Sequence, residues 1–118
     1  MDLKIKKIGE IIVVIIKGNI GFEDINEFSS TLVPIIENTF RPKFVFDMGD
    51  MPYINSATIG KFIGIFKKIN EVGGAITFCN VRPFVRNILD ITKLSTVFDI
   101  YDSQEEALEA VKNKIKSG

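Results

Sequence analysis

The spacing of hydrophobic residues changes along the chain, and each change marks an element. Leu3-Lys4-Ile5-Lys6 alternates apolar and polar, Gly9 offers a turn, and Glu10 to Lys17 is a β-branched run, a pattern that predicts a hairpin. From about Glu23 to Asn38, Ile25, Phe28, Leu32, Ile35 and Ile36 recur at helical spacing, and Pro34 is expected to kink or divide that helix. Lys43 to Met48 reads as a short apolar strand and Gly49 to Pro52 as a loop. Ile59, Phe62, Ile63, Phe66 and Ile69 form one helical face, which Gly73-Gly74 ends. Ala75 to Val81 reads as a buried strand. Arg82 to about Lys93 reads as a helix carrying Val85, Ile88, Leu89 and Ile91, and Thr96 to Tyr101 as a last strand. Ser103 with Glu106 three residues on is a capping-box pattern, and the helix it opens carries Leu108, Val111 and Ile115.

After the hairpin, strands and helices alternate. That order predicts an α/β domain: a mostly parallel sheet of about five strands, an N-terminal antiparallel strand, four main helices and right-handed crossovers. No linker, low-complexity stretch or internal repeat interrupts it, so residues 1–118 are expected to form a single domain. Hydrophobic residues make up 46% and charged residues 25%, and ten phenylalanines can fill one core.

Charge and residue chemistry narrow the functions. Fifteen basic and fifteen acidic residues give a net charge of zero, so nucleic acid and anionic membrane are not expected as main partners. Lys112, Lys114 and Lys116 read as a solvated helix face. Histidine is absent, which removes Ser-His and Cys-His nucleophile pairs, histidine bases and histidine metal ligands together. The one cysteine, Cys79, sits in an apolar strand, is expected to be buried and suits a reducing compartment. The aliphatic run Ile11 to Ile16 is far short of the roughly 20 residues of a membrane helix, and the N-terminus carries no signal-peptide pattern. A soluble, cytoplasmic protein is therefore expected.

Catalytic motifs fail on inspection. A P-loop ending in Lys61 needs glycine at position 55 and serine or threonine at 62, where the chain has Asn55 and Phe62. Gly18-Asn19-Ile20-Gly21 lacks the third glycine of a dinucleotide fingerprint. Gly60 and Gly64, four apart on a helix, suggest close packing against a strand. Nothing fixes Asp47, Asp50 and Asp102 into a cation site, so neither metal, cofactor nor enzymatic activity is expected.

One segment stands out. Phe44-Val45-Phe46-Asp47, a short loop, Tyr53-Ile54-Asn55-Ser56-Ala57-Thr58-Ile59-Gly60 and then Glu71-Val72-Gly73-Gly74-Ala75-Ile76 resemble the STAS family, the anti-sigma-factor antagonists and related sulphate-transporter domains. Asn80 to Leu89, Thr92-Lys93-Leu94 and Phe98 to Ser103 continue the resemblance over nearly the whole chain. In the antagonists the strand-to-helix turn reads Asp-Ser-Ser-Gly. Its first serine is phosphorylated by an anti-sigma factor that is itself a kinase, and the modified antagonist releases that partner.

By this resemblance the phosphorylated serine falls on Ser56. The family's aspartate falls on Asn55, its second serine on Ala57 and its glycine on Thr58. A second acidic position, after the second strand, falls on Gly21. The resemblance implies phosphorylation at Ser56, with Thr58 as a second acceptor, and a partner surface of Gly21, Met51, Tyr53, Asn55, Ser56, Ala57 and Thr58. The partner it implies is an anti-sigma factor and serine kinase, or another regulatory protein. Read from the residues alone, Ser56 or Asn55 is a helix cap. Met48, Met51, Pro52 and Tyr53 are either a docking patch or lids on the core. Two other functions remain open. One is a constitutive interaction subunit of a lipid-transport or stress-signalling complex, which neutral Asn55 and Gly21 favour. The other is a small-molecule or nucleotide binder using the loops at the carboxyl ends of the strands. The oligomeric state is left open.

Overall fold

β1 (Asp2–Ile8) and β2 (Ile11–Lys17) form the hairpin, antiparallel and in register from Asp2 opposite Lys17 to Ile8 opposite Ile11. Gly9 makes the turn with a φ of 61°, a left-handed conformation that costs glycine little. The computed structural model describes residues 1–114.

Beyond the hairpin the chain alternates as expected. A 3-10 turn at Phe22–Asp24 leads into α1 (Ile25–Glu37), β3 (Lys43–Asp50), α2 (Ser56–Glu71), β4 (Ala75–Cys79) and α3 (Pro83–Ile91). A second 3-10 turn at Leu94–Thr96, β5 (Ile100–Tyr101) and α4 (Gln104–Lys112) complete it. The strands lie side by side in chain order. Only β1 is antiparallel, and the other neighbours are parallel. The expected five-stranded α/β sheet with four main helices is the observed one.

The period of two sorts the sheet's side chains into two cores. Ile12, Val14, Ile16, Phe44, Phe46, Ile76 and Phe78 meet the buried stripes of α1 (Phe28, Leu32, Ile36) and α2 (Phe62, Ile65, Ile69). Aromatic rings link these layers. Phe46 lies 6.2 Å from Phe28, 5.8 Å from Phe62 and 5.6 Å from Phe78, all edge-on, the arrangement the ring quadrupoles favour. On the other face Val13, Val45, Ala75 and Cys79 pack against Ala107 and Val111 of α4.

Several expectations need correction. Pro34 does not divide α1, which runs unbroken through it; Ser30, whose carbonyl loses its helical donor to the proline, is an exposed residue. Half-buried Ile59, Ile63 and Phe66 flank the buried stripe of α2. Ile91 is exposed rather than packed. The last strand is two residues long, not six, because Lys93 turns left-handed (φ 66°) into the 3-10 turn. Gly60 and Gly64 pack against nothing: a methyl group on either would meet no atom within 4 Å. Ile115 and Lys116 lie outside the described residues.

Candidate functional site

The site begins where β3 ends. Met51 turns back, its N–H donating to the Met48 carbonyl at 3.1 Å, and both methionine side chains are buried. A short irregular stretch leads to Asn55, itself extended (φ −105°, ψ 168°), the N-cap of α2. Asn55 Oδ1 accepts from the Thr58 N–H at 2.8 Å, which satisfies one of the free donors of the first turn. Its Nδ2 donates to the Ile20 carbonyl at 3.0 Å. Thr58 Oγ1 donates to the same carbonyl at 3.0 Å, and the Tyr53 N–H to Asn19 Oδ1 at 3.0 Å. These bonds clamp the β2–α1 loop onto the start of α2.

Ser56 is the first residue of α2 and is exposed. Among the described residues the cap is supplied by Asn55, and no hydrogen bond uses the Ser56 hydroxyl. The helix dipole and unpaired N–H groups here favour negative charge.

The structure brings Gly21, Tyr53 and Asn55 together around a cleft of about 210 Å³, lined also by Asn19, Ile20 and Ile54, beside Ser56. Ala57 is half-buried next to it. Two expected surface residues are not on the surface. Thr58 is 1% exposed and its hydroxyl is committed to Ile20, so it is neither an accessible acceptor nor a contact. Met51 is fully buried and serves the core.

Three features of the site escape a reading of the sequence. Phe84 stacks edge-on against Tyr53, ring centroids 5.4 Å apart, and both rings are about half exposed. Its signal was present: the period of α3 buries Val85 and Leu89, which turns Phe84 outward. Phe22, exposed on the β2–α1 loop, lies at the same carboxyl end of the parallel strands. Glu23 is the third. A Cβ on residue 21 would lie 2.6 Å from Glu23 Oε1, so a carboxylate fills the space that a side chain at Gly21 would take.

The acidic residues at this end form no metal centre. Asp47 Oδ1 accepts from the Gly49 N–H at 3.0 Å and from Asn80 Nδ2 at 3.2 Å, and Oδ2 accepts from Gln104 Nε2 at 2.9 Å, a network that braces β3, β4 and α4. Among the described residues no group of three or more histidine, cysteine or acidic side chains could hold a metal. Burial, helped by the Asp47 charge, pushes the Cys79 thiol up to about 12. No helix among the described residues is long and apolar enough to cross a membrane.

Comparison with known proteins agrees with this architecture. The chain is 24% identical over 115 residues to BtrV of Bordetella bronchiseptica, covering 98% of both chains. It is 27% identical over 94 residues to the anti-sigma-B factor antagonist of Bacillus subtilis, covering 80% of this chain and 84% of the other. Its fold matches unphosphorylated SpoIIAA, an anti-sigma factor antagonist, with a TM-score of 0.80 at 14% identity over 97% and 99% of the two chains. The STAS domain pattern matches residues 2–107, nearly the whole chain, and the protein therefore belongs to the STAS domain family.

Proposed function

We propose that the protein is an anti-sigma-factor antagonist that binds an anti-sigma factor kinase and is released when that kinase phosphorylates Ser56. The observation that carries this reading is the division of work at the start of α2. Asn55 caps the helix, so the exposed hydroxyl of Ser56 has no structural task. Such a hydroxyl can be modified without unfolding its helix. Phosphate adds about −1.5 to −2 charges and three strong acceptors. Helix N–H groups at this position tolerate that charge, whereas a partner surface shaped to a neutral hydroxyl does not.

The surrounding surface suits a protein partner. Tyr53, Phe84 and Phe22 offer exposed aromatic area, and Glu23 supplies the acidic group that Gly21 lacks. A binding titration against an anti-sigma factor from the same host tests the reading. Ser56→Ala is expected to bind like the wild type, and Ser56→Glu to bind at least about tenfold more weakly. Equal affinity of all three would contradict it.

A second reading keeps the surface and drops the switch. Asn55 is neutral and turned inward to Ile20, which fits a constitutive interaction subunit. Under that reading Ser56→Glu binds its partner as the wild type does, and no phosphate enters Ser56.

A further inference from the structure

β1 is the long open edge of the sheet. The opposite edge, β5, is two residues long, whereas β1 pairs with β2 over all seven of its residues without a bulge. Among the described residues no strand pairs with its other side. The hydrogen bonding shows which backbone groups that side presents. The Gly18 N–H donates to the Asp50 carbonyl of β3 at 3.0 Å, so the even-numbered residues of β2 turn their backbone groups to β3 and the odd-numbered ones to β1. Ile11, Val13, Ile15 and Lys17 therefore bond to their partners Ile8, Lys6, Lys4 and Asp2. The N–H and C=O groups of Leu3, Ile5 and Lys7 point away from the sheet, and among the described residues no loop bonds to them.

The two faces of β1 differ in chemistry. Leu3 and Ile5 lie opposite Ile16 and Val14 and, half-buried, pack against the larger core. They form an apolar ledge at the margin of the sheet. Lys4 and Lys6 lie opposite Ile15 and Val13, on the face that α4 covers further along the sheet, and both are exposed. The ion pairs among the described residues use neither of them, nor Lys7. Asp2 is the one carboxylate of the strand.

We propose that the β1 edge binds an extended segment of a partner protein in which acidic and apolar residues alternate. The added strand would bond to the free groups of Leu3, Ile5 and Lys7. At a strand spacing of about 4.8 Å its apolar side chains would lie beside Leu3 and Ile5, and its carboxylates beside Lys4 and Lys6. Charge disfavours a second copy as the occupant. Pairing the whole strand with itself centres on Ile5 and sets Lys4 opposite the copy's Lys6, and Lys6 opposite its Lys4, where like charges repel. Lysines on an edge strand guard against such self-pairing, and the same lysines select an acidic strand. β1 carries none of the residues assigned to the switch, so this surface leaves the Ser56 end free.

NMR titration of the full chain with a capped peptide, Glu-Val-Glu-Val-Glu-Val-Glu, and with its counterpart in which lysine replaces glutamate, tests the proposal. The glutamate peptide is expected to bind saturably. It slows hydrogen exchange at the amides of Leu3, Ile5 and Lys7, while those of Lys4 and Lys6, already bonded to β2, change little. The lysine peptide is expected to bind at least about tenfold more weakly. Lys4→Glu combined with Lys6→Glu is expected to reverse that preference. Lys7→Pro removes one outward N–H, leaves the bonds to β2 in place, and is expected to weaken the glutamate peptide about tenfold. Ser56→Ala is expected to leave binding unchanged, which separates this surface from the proposed switch. These lysines are exposed, and a melting curve of each variant checks that it remains folded. Any of four results would overturn the proposal: no saturable binding at millimolar peptide, protection that falls outside β1, equal binding of the two peptides or a preference that survives the charge reversal, or self-association of the chain through β1 without peptide.

Discussion

Asn55 and Ser56 are neighbours with different tasks, and substitution separates them. Asn55→Ala removes the cap and one donor to the Ile20 carbonyl, and is expected to cost about 1–2 kcal/mol in urea unfolding. Ser56→Ala removes an exposed hydroxyl and is expected to stay within about 0.5 kcal/mol of the wild type. Equal losses would show that Ser56 also caps. Cys79 gives a second test. Its thiol is raised from 9.0 to about 12, so the unfolded chain ionises first as pH rises. Its contribution to stability is fully present below pH 9 and fades towards pH 12, and the thiol is expected to resist a thiolate-selective reagent at pH 8 until the protein is unfolded. Rapid labelling of the folded chain would contradict its burial. At this scale the sequence exposed the cap candidates, because capping is local. It hid the burial of Thr58, because that depends on Ile20, 38 residues away in the chain.

Among the elements, α2 has two faces with different logic. Thr58, Phe62, Ile65 and Ile69 fill its buried stripe, while Gly60 and Gly64 sit on the exposed side with open space where side chains would be. Gly60→Ala and Gly64→Ala are each expected to stabilise the fold by about 0.5–1 kcal/mol, measured by chemical unfolding. A loss of stability would mean that the glycines serve the fold after all. Helical periodicity located α2 correctly but could not say whether a glycine faces a strand or water. The hairpin, β3 and β4 were legible for a related reason: β-branched runs bounded by turn residues have few other solutions. β5 was not, because its length is set by the left-handed turn at Lys93, which no apolar spacing announces. Pro34 sits inside α1 without ending it, so the expected division does not occur.

Across the whole molecule, the carboxyl end of the parallel strands gathers Ser56, the Asn55 clamp, the Tyr53–Phe84 pair and Glu23. Alternation of strand and helix made the architecture legible, but sequence order alone could not bring Tyr53 against Phe84. The Tyr53–Phe84 contact joins segments that follow β3 and β4, at the carboxyl end of the parallel strands, the usual place for recognition in such folds. Phosphorylation of Ser56 is read by intact-mass analysis of protein isolated from its own host and of protein incubated with a candidate anti-sigma factor kinase and ATP, with Ser56→Ala alongside. A single added phosphate is expected on the wild type and none on the variant. A wild-type chain that stays unmodified under both conditions, or a variant that still gains the phosphate, would contradict it.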